Sequence, residues 1–74
     1  MFARYSFSDI FKENADGTIS AKTKAQIGGA TIAPEVKFTE GISWGGIDIF
    51  DYLGQDLMVE KEKGVSIIRG FFGV

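Results

Sequence analysis

Carboxylates and aromatic side chains crowd the middle of this chain, and they are the groups with the most chemistry to offer. Residues 35–56 carry Glu35, Glu40, Asp48, Asp51 and Asp56 against Lys37 alone, with Trp44, Phe50 and Tyr52 in the same stretch. Gly41, Gly45, Gly46 and Gly54 would let a ligand approach the backbone there. Glu40, Trp44, Asp48, Asp51 and Tyr52 are therefore candidates to line an acidic, aromatic-floored cleft for a sugar, a small cation or a basic partner segment. The competing assignment places Trp44 and Phe50 in the core, Asp48 on the solvent side of a strand, and Asp51 and Asp56 at turns. Burial is the commoner fate of aromatics in so small a domain, which favours that assignment.

A pair of these carboxylates would be the only vehicle for general acid–base catalysis, because the chain has no histidine and no cysteine. Disulfides, thiolate metal sites and cysteine nucleophiles are excluded together, and neither a metal nor a cofactor is expected. The stretch from Lys12 to Ile19 has the outline of a calcium loop, with Asn14, Asp16 and Gly17 at its third, fifth and sixth positions. Its ends fail: Lys12 stands where the first acid belongs and Thr23 where the bidentate glutamate belongs. An Asx-type turn before a strand accounts for it better. No phosphate-loop pattern is present, and Ser43 is not in a Gly-x-Ser-x-Gly elbow. The chain is expected not to be an enzyme.

Eight Lys and Arg against ten Asp and Glu give a net charge of −2, so nucleic acid is not an expected partner. Lys22 and Lys24 alternate with Ala21, Thr23 and Ala25, as on the solvent face of a strand. No apolar run is long enough to span a bilayer, and Met1-Phe2-Ala3-Arg4 is followed by no apolar leader segment. A soluble, cytoplasmic chain without membrane contact is the expectation.

The elements that must position these groups are short. Ten glycines and one proline punctuate the chain as they do in small all-β domains. Between the breaks, residues 18–24, 30–32, 36–39, 47–50, 57–60 and 65–69 read as strands rich in β-branched residues. The clearest unit is a C-terminal hairpin in which 56–60 and 65–69 flank the tip Lys61-Glu62-Lys63-Gly64. Near the N-terminus, a Ser6-x-x-Asp9 capping box precedes Phe7, Ile10 and Phe11, which predicts a short strand running into one helical turn. Gly28-Gly29 and Gly45-Gly46 each lead into a strand and read as two bends of one sheet. The expected fold is one all-β domain over residues 1–74, a small barrel-like or sandwich arrangement of five to six short antiparallel strands with one short N-terminal helix. The alternative is an α+β sheet with one covering helix. The expected core is Phe7, Ile10, Phe11, Ile19, Ile27, Ile32, Val36, Phe38, Ile47, Ile49, Leu57, Val59, Val65 and Ile67.

A chain of 74 residues buries a modest core, and without disulfide or metal its remaining source of added stability is association. The tail sharpens that inference, because Phe71, Phe72 and Val74 are costly to leave in water at about 25 cal/mol per Å². They must fold back onto their own sheet or join a second subunit, and an isologous homodimer is the expectation. The functional expectation is a non-catalytic interaction module, a homo-oligomer or an accessory subunit of an unidentified protein partner. Its alternative is a small-molecule or saccharide binding protein acting through residues 40–56.

Overall fold

The computed structural model describes residues 2–72, except for the side chain of Phe2. Val74, one of the three residues expected at an interface, lies outside the described residues. In chain order the elements are β1 (Phe2–Tyr5), α1 (Phe7–Ile10), β2 (Phe11–Glu13), β3 (Ile19–Ala21), β4 (Ala25–Ile27), β5 (Ala30–Ile32), β6 (Ser43–Trp44), β7 (Ile47–Asp48), a 3-10 turn (Ile49–Tyr52), β8 (Leu57–Glu62) and β9 (Val65–Phe71). Five strands form one sheet in the order β1-β8-β9-β4-β5, and β2–β3 and β6–β7 are separate two-stranded pairs. The fold is thus mostly strand with one short helix, as the punctuation predicts. One pair departs from the antiparallel expectation: β4 and β9 run parallel. The long connection between them makes this possible, since parallel neighbours need a crossover rather than a tight turn. The sheet ends on β1 and β5, so hydrogen bonding does not close it into a barrel.

Local chemistry explains most of the turns. The Ser6 N–H donates to the Asp9 carboxylate at 3.1 Å, which starts α1 where the capping box predicts. Three hairpins close through two residues at positive φ: Gly28-Gly29 (54° and 85°), Gly45-Gly46 (58° and 83°) and Lys63-Gly64 (51° and 81°). Two positive φ values in succession are the requirement of a type I′ turn, whose twist matches that of the flanking strands. The C-terminal hairpin therefore has a shorter tip than expected. Glu62 pairs with Val65, and Lys61 and Glu62 belong to the strand.

Three expected strands are altered. Residues 18–24 bend at Lys22 and Thr23, so that β3 pairs with β2 and β4 joins the large sheet. Lys22 thus lies in a bend and Lys24 just after it, and they do not alternate along one strand. Residues 36–39 contribute one bridge, in which Phe38 and Ile19 exchange two backbone hydrogen bonds of 2.9 Å. The strand expected over 47–50 stops at Asp48, because the Asp48 carboxylate accepts from the Phe50 N–H at 3.0 Å and caps the 3-10 turn.

The inner face of the sheet packs on α1, the β2–β3 pair, the loop residue Phe38 and Ile49 of the 3-10 turn. Phe38 gathers the aromatics, with Phe11, Trp44 and Phe50 all approaching it edge-on at centroid distances of 5.5–6.4 Å. Three expected core residues are displaced: Val36 is 43% exposed, and Val65 and Ile67 are only half-buried, whereas the half-buried Ile47 packs against the core. On β9 it is Ser66 and Ile68 that point inward. Ser66 sits there fully buried because its N–H reaches the Lys24 carbonyl at 2.8 Å and its hydroxyl meets that of Thr23 at 3.3 Å. A bulge at Arg69 then resets the alternation: Val59 pairs with Ile68, but Met58 pairs with Gly70. Ile68 and Phe71, three residues apart, consequently share the inner side with Val59 and Leu57.

Candidate functional site

The five residues expected to line an acidic cleft are put to separate uses. Asp48 spends both carboxylate oxygens on backbone N–H groups, one from Phe50 at 3.0 Å and one from Gly41 at 2.9 Å. Its work is to tie the loop at Gly41 to the β7 end. Trp44 is half-buried against Phe38, and its indole N–H is buried without a hydrogen-bond partner among the described residues. Tyr52 stacks on Phe71 with ring centroids 4.1 Å apart and planes tilted by 11°. Glu40 and Asp51 are exposed. None of these five residues lines the surface clefts over Val65 and Ile67, beside Ser20 and Lys22, or between Ile47 and Ile68.

Phe71 and Phe72, the described residues of the tail, lie against their own sheet. Phe71 is the last residue of β9 and faces inward opposite Leu57. Phe72 follows with its N–H on the Asp56 carbonyl at 2.8 Å, and the Arg4 guanidinium covers its ring at 4.3 Å. Arg4 also pairs with the Asp56 carboxylate at 2.7 Å. Because Arg4 is opposite Met58 in the β1–β8 register, this cluster sits on the outer face of the sheet.

That outer face is the surface the sequence reading missed. Gln26, Ile67 and Glu60 occupy one cross-strand row and Val65 and Glu62 another, with Met58 and Arg4 beyond. Val65, Ile67 and Met58 are half-buried apolar groups at its centre. Charges of both signs surround them: Glu60 takes the Arg69 guanidinium at 2.9 Å, and Glu62 and Lys63 edge a shallow cleft of about 280 Å³ over Val65 and Ile67. The sequence signal for this face was present in the run Val65-Ser66-Ile67-Ile68, which is apolar at both parities apart from one serine.

On the other side of the molecule, the Asx turn anticipated at Asp16 is formed. Asp16 accepts from the Thr18 hydroxyl at 2.6 Å and from the Thr18 N–H at 3.1 Å, and Lys37 approaches its second oxygen at 3.3 Å. The hydrogen bonds from Thr18, first its hydroxyl and then its N–H, with Lys37 assisting, lower the Asp16 carboxyl to about 2. Among the described residues no group of three or more acidic side chains is arranged to hold a metal, and no helix is long and apolar enough to cross a membrane. Comparisons of the chain with protein-family models, with curated proteins and with solved structures found no match.

Proposed function

We propose that this chain is a non-catalytic interaction module that pairs with a second copy of itself through the outer face of its five-stranded sheet. The observation that carries this reading is the composition of β9. Ile68 faces the core, while Val65 and Ile67 face the other way. Strands that are apolar on both sides are characteristic of sheets covered on both faces. This chain supplies the cover for the inner side.

A second copy suits the outer side because the rim carries both signs. Glu60 and Glu62 lie near Arg69, Lys63 and Arg4, so a two-fold axis through Ile67 can bring opposite charges together across the seam. Phe72 adds apolar area at one end. The role expected of the tail is thereby divided, with Phe72 at the seam and Phe71 under the sheet.

Sedimentation velocity across a concentration series tests the proposal. A dimer is expected for the wild-type chain, and Ile67→Glu is expected to give a folded monomer, since the residue faces outward and supports no core contact. Val36→Glu, at an exposed site elsewhere, should leave the dimer intact. A wild-type monomer at about 100 µM, well above the Kd of a stable interface, overturns the proposal.

A further inference from the structure

A cleft of about 260 Å³ opens between the β2–β3 pair and the turn at residues 33–36. It is several times the ~30 Å³ share of one water. Lys12, Lys22 and Lys37 line it together with Asn14, Ser20 and Glu35. In a chain of net charge −2 this concentration of ammonium groups is a local feature and does not follow from overall basicity.

Lys12 and Ser20 stand directly opposite each other in the β2–β3 register and so share one face. Neither Lys12 nor Lys22 has an ion pair within 4 Å among the described residues, although Lys22 is close enough to Asp9 to help the Ser6 hydrogen bonds lower its carboxyl, and Lys37 is engaged by Asp16 at 3.3 Å. Ser20 is 6% exposed, and its oxygen accepts from the Asn14 amide at 3.4 Å, which leaves the hydroxyl proton to be donated.

Glu35 is the one carboxylate lining the cleft, and it is held at a cost. Its φ is 68°, at the third position of a turn that has Pro34 second and is closed by Val36 N–H to the Ala33 carbonyl at 3.4 Å. That is the pattern of a type II turn, whose third position favours glycine. A glutamate kept in this conformation, with its N–H tied to the Ala21 carbonyl at 3.3 Å, is the kind of strain that collects at binding sites.

We propose that this cleft binds a small phosphate monoester that carries a free hydroxyl. The three ammonium groups and the Ser20 hydroxyl match a dianionic phosphate, and the Glu35 carboxylate accepts from the hydroxyl while repelling a second anion. This site is separate from the outer sheet face, and its test does not depend on the oligomeric state.

The test is an amide NMR titration of the full chain with glycerol 3-phosphate, inorganic phosphate and glycerol in parallel. Glycerol 3-phosphate is expected to shift Lys12, Ser20, Lys22 and Glu35 saturably, to bind about threefold or more tighter than inorganic phosphate, and glycerol is expected to do nothing. The exposed double substitution K12M with K22M should weaken the ester about tenfold while amides outside the cleft keep their positions. Glu35→Gln should narrow the preference for ester over inorganic phosphate. Co-sedimentation with phosphatidylcholine vesicles containing lysophosphatidic acid, whose headgroup is a phosphate monoester beside a free hydroxyl, against plain phosphatidylcholine vesicles, separates the two sources of this chemistry. Capture that K12M with K22M abolishes identifies a lipid headgroup, whereas ester binding without capture identifies a soluble ester. Absence of saturable shifts at these residues, unchanged affinity in the lysine variant, or equal binding of ester and inorganic phosphate overturns the proposal.

Discussion

Gly28 and Gly45 meet backbone to backbone: a Cβ built on Gly28 would stand 2.7 Å from the Gly45 carbonyl oxygen, and one built on Gly45 would stand 2.5 Å from the Ile27 carbonyl oxygen. Each is the first residue of a type I′ turn, the position where asparagine is usually favoured. The third such turn has Lys63 there instead. Asparagine introduced at this position should therefore have opposite effects in different turns. Lys63→Asn is expected to raise stability by about 0.5 kcal/mol, since Asn tolerates positive φ. Gly28→Asn and Gly45→Asn are expected to cost about 3 kcal/mol or more, because the new Cβ would enter a neighbouring backbone. Urea denaturation of the three variants measures this, and a gain at all three would refute the contact.

Asp16 makes part of the stability acid-sensitive. Its carboxyl titrates at about 2 in the folded chain against 3.8 for the free group. A depressed folded value means that its contribution is complete above about pH 4 and is lost as the pH falls toward 2. The melting temperature of Asp16→Asn should lie below wild type at pH 6, and the gap should shrink by pH 2. An equal gap at both values would show that the charge has no part in the turn.

The Tyr52–Phe71 stack fastens the 3-10 turn to the end of β9. A double-mutant cycle with Tyr52→Leu and Phe71→Leu is expected to return a coupling of about 0.5–1.5 kcal/mol. Chemical denaturation supplies the four free energies, and a coupling indistinguishable from zero would mean that the two rings act independently.

Glu35 occupies a position suited to Gly or Asn. Glu35→Asn is expected to stabilise the fold by about 1 kcal/mol, relieving left-handed strain without glycine's entropy. Thermal denaturation in phosphate-free buffer reads this directly. A loss of stability would show that the glutamate side chain has a structural partner that outweighs its backbone strain.

Features governed by a few adjacent residues were legible in the sequence. Ser6 and Asp9 announced α1 and Asp16-Gly17 announced its turn, because capping hydrogen bonds and positive φ are properties of neighbouring backbone. Gly28-Gly29 and Gly45-Gly46 marked chain reversals, but they are hairpin turns in two different sheets and not two bends of one sheet. The strands at 30–32 and 57–60 followed from their β-branched and apolar residues bounded by glycine. What tertiary structure alone decided depends on partners far away in the chain. Whether Val65 and Ile67 or Ser66 and Ile68 face the core was settled by pairing with β4 and by the bulge at Arg69, which a sequence apolar at both parities leaves open. Asp48 is acidic like Glu40 and Asp51, yet only the approach of Gly41 to it shows that its carboxylate is committed to the backbone. Lys12, Lys22 and Lys37 are dispersed among acids along the chain and carry no pattern. They line one cleft because the β2–β3 pair and the turn at Pro34 bring three separate segments together, and charge density in space is fixed by that packing rather than by spacing in sequence.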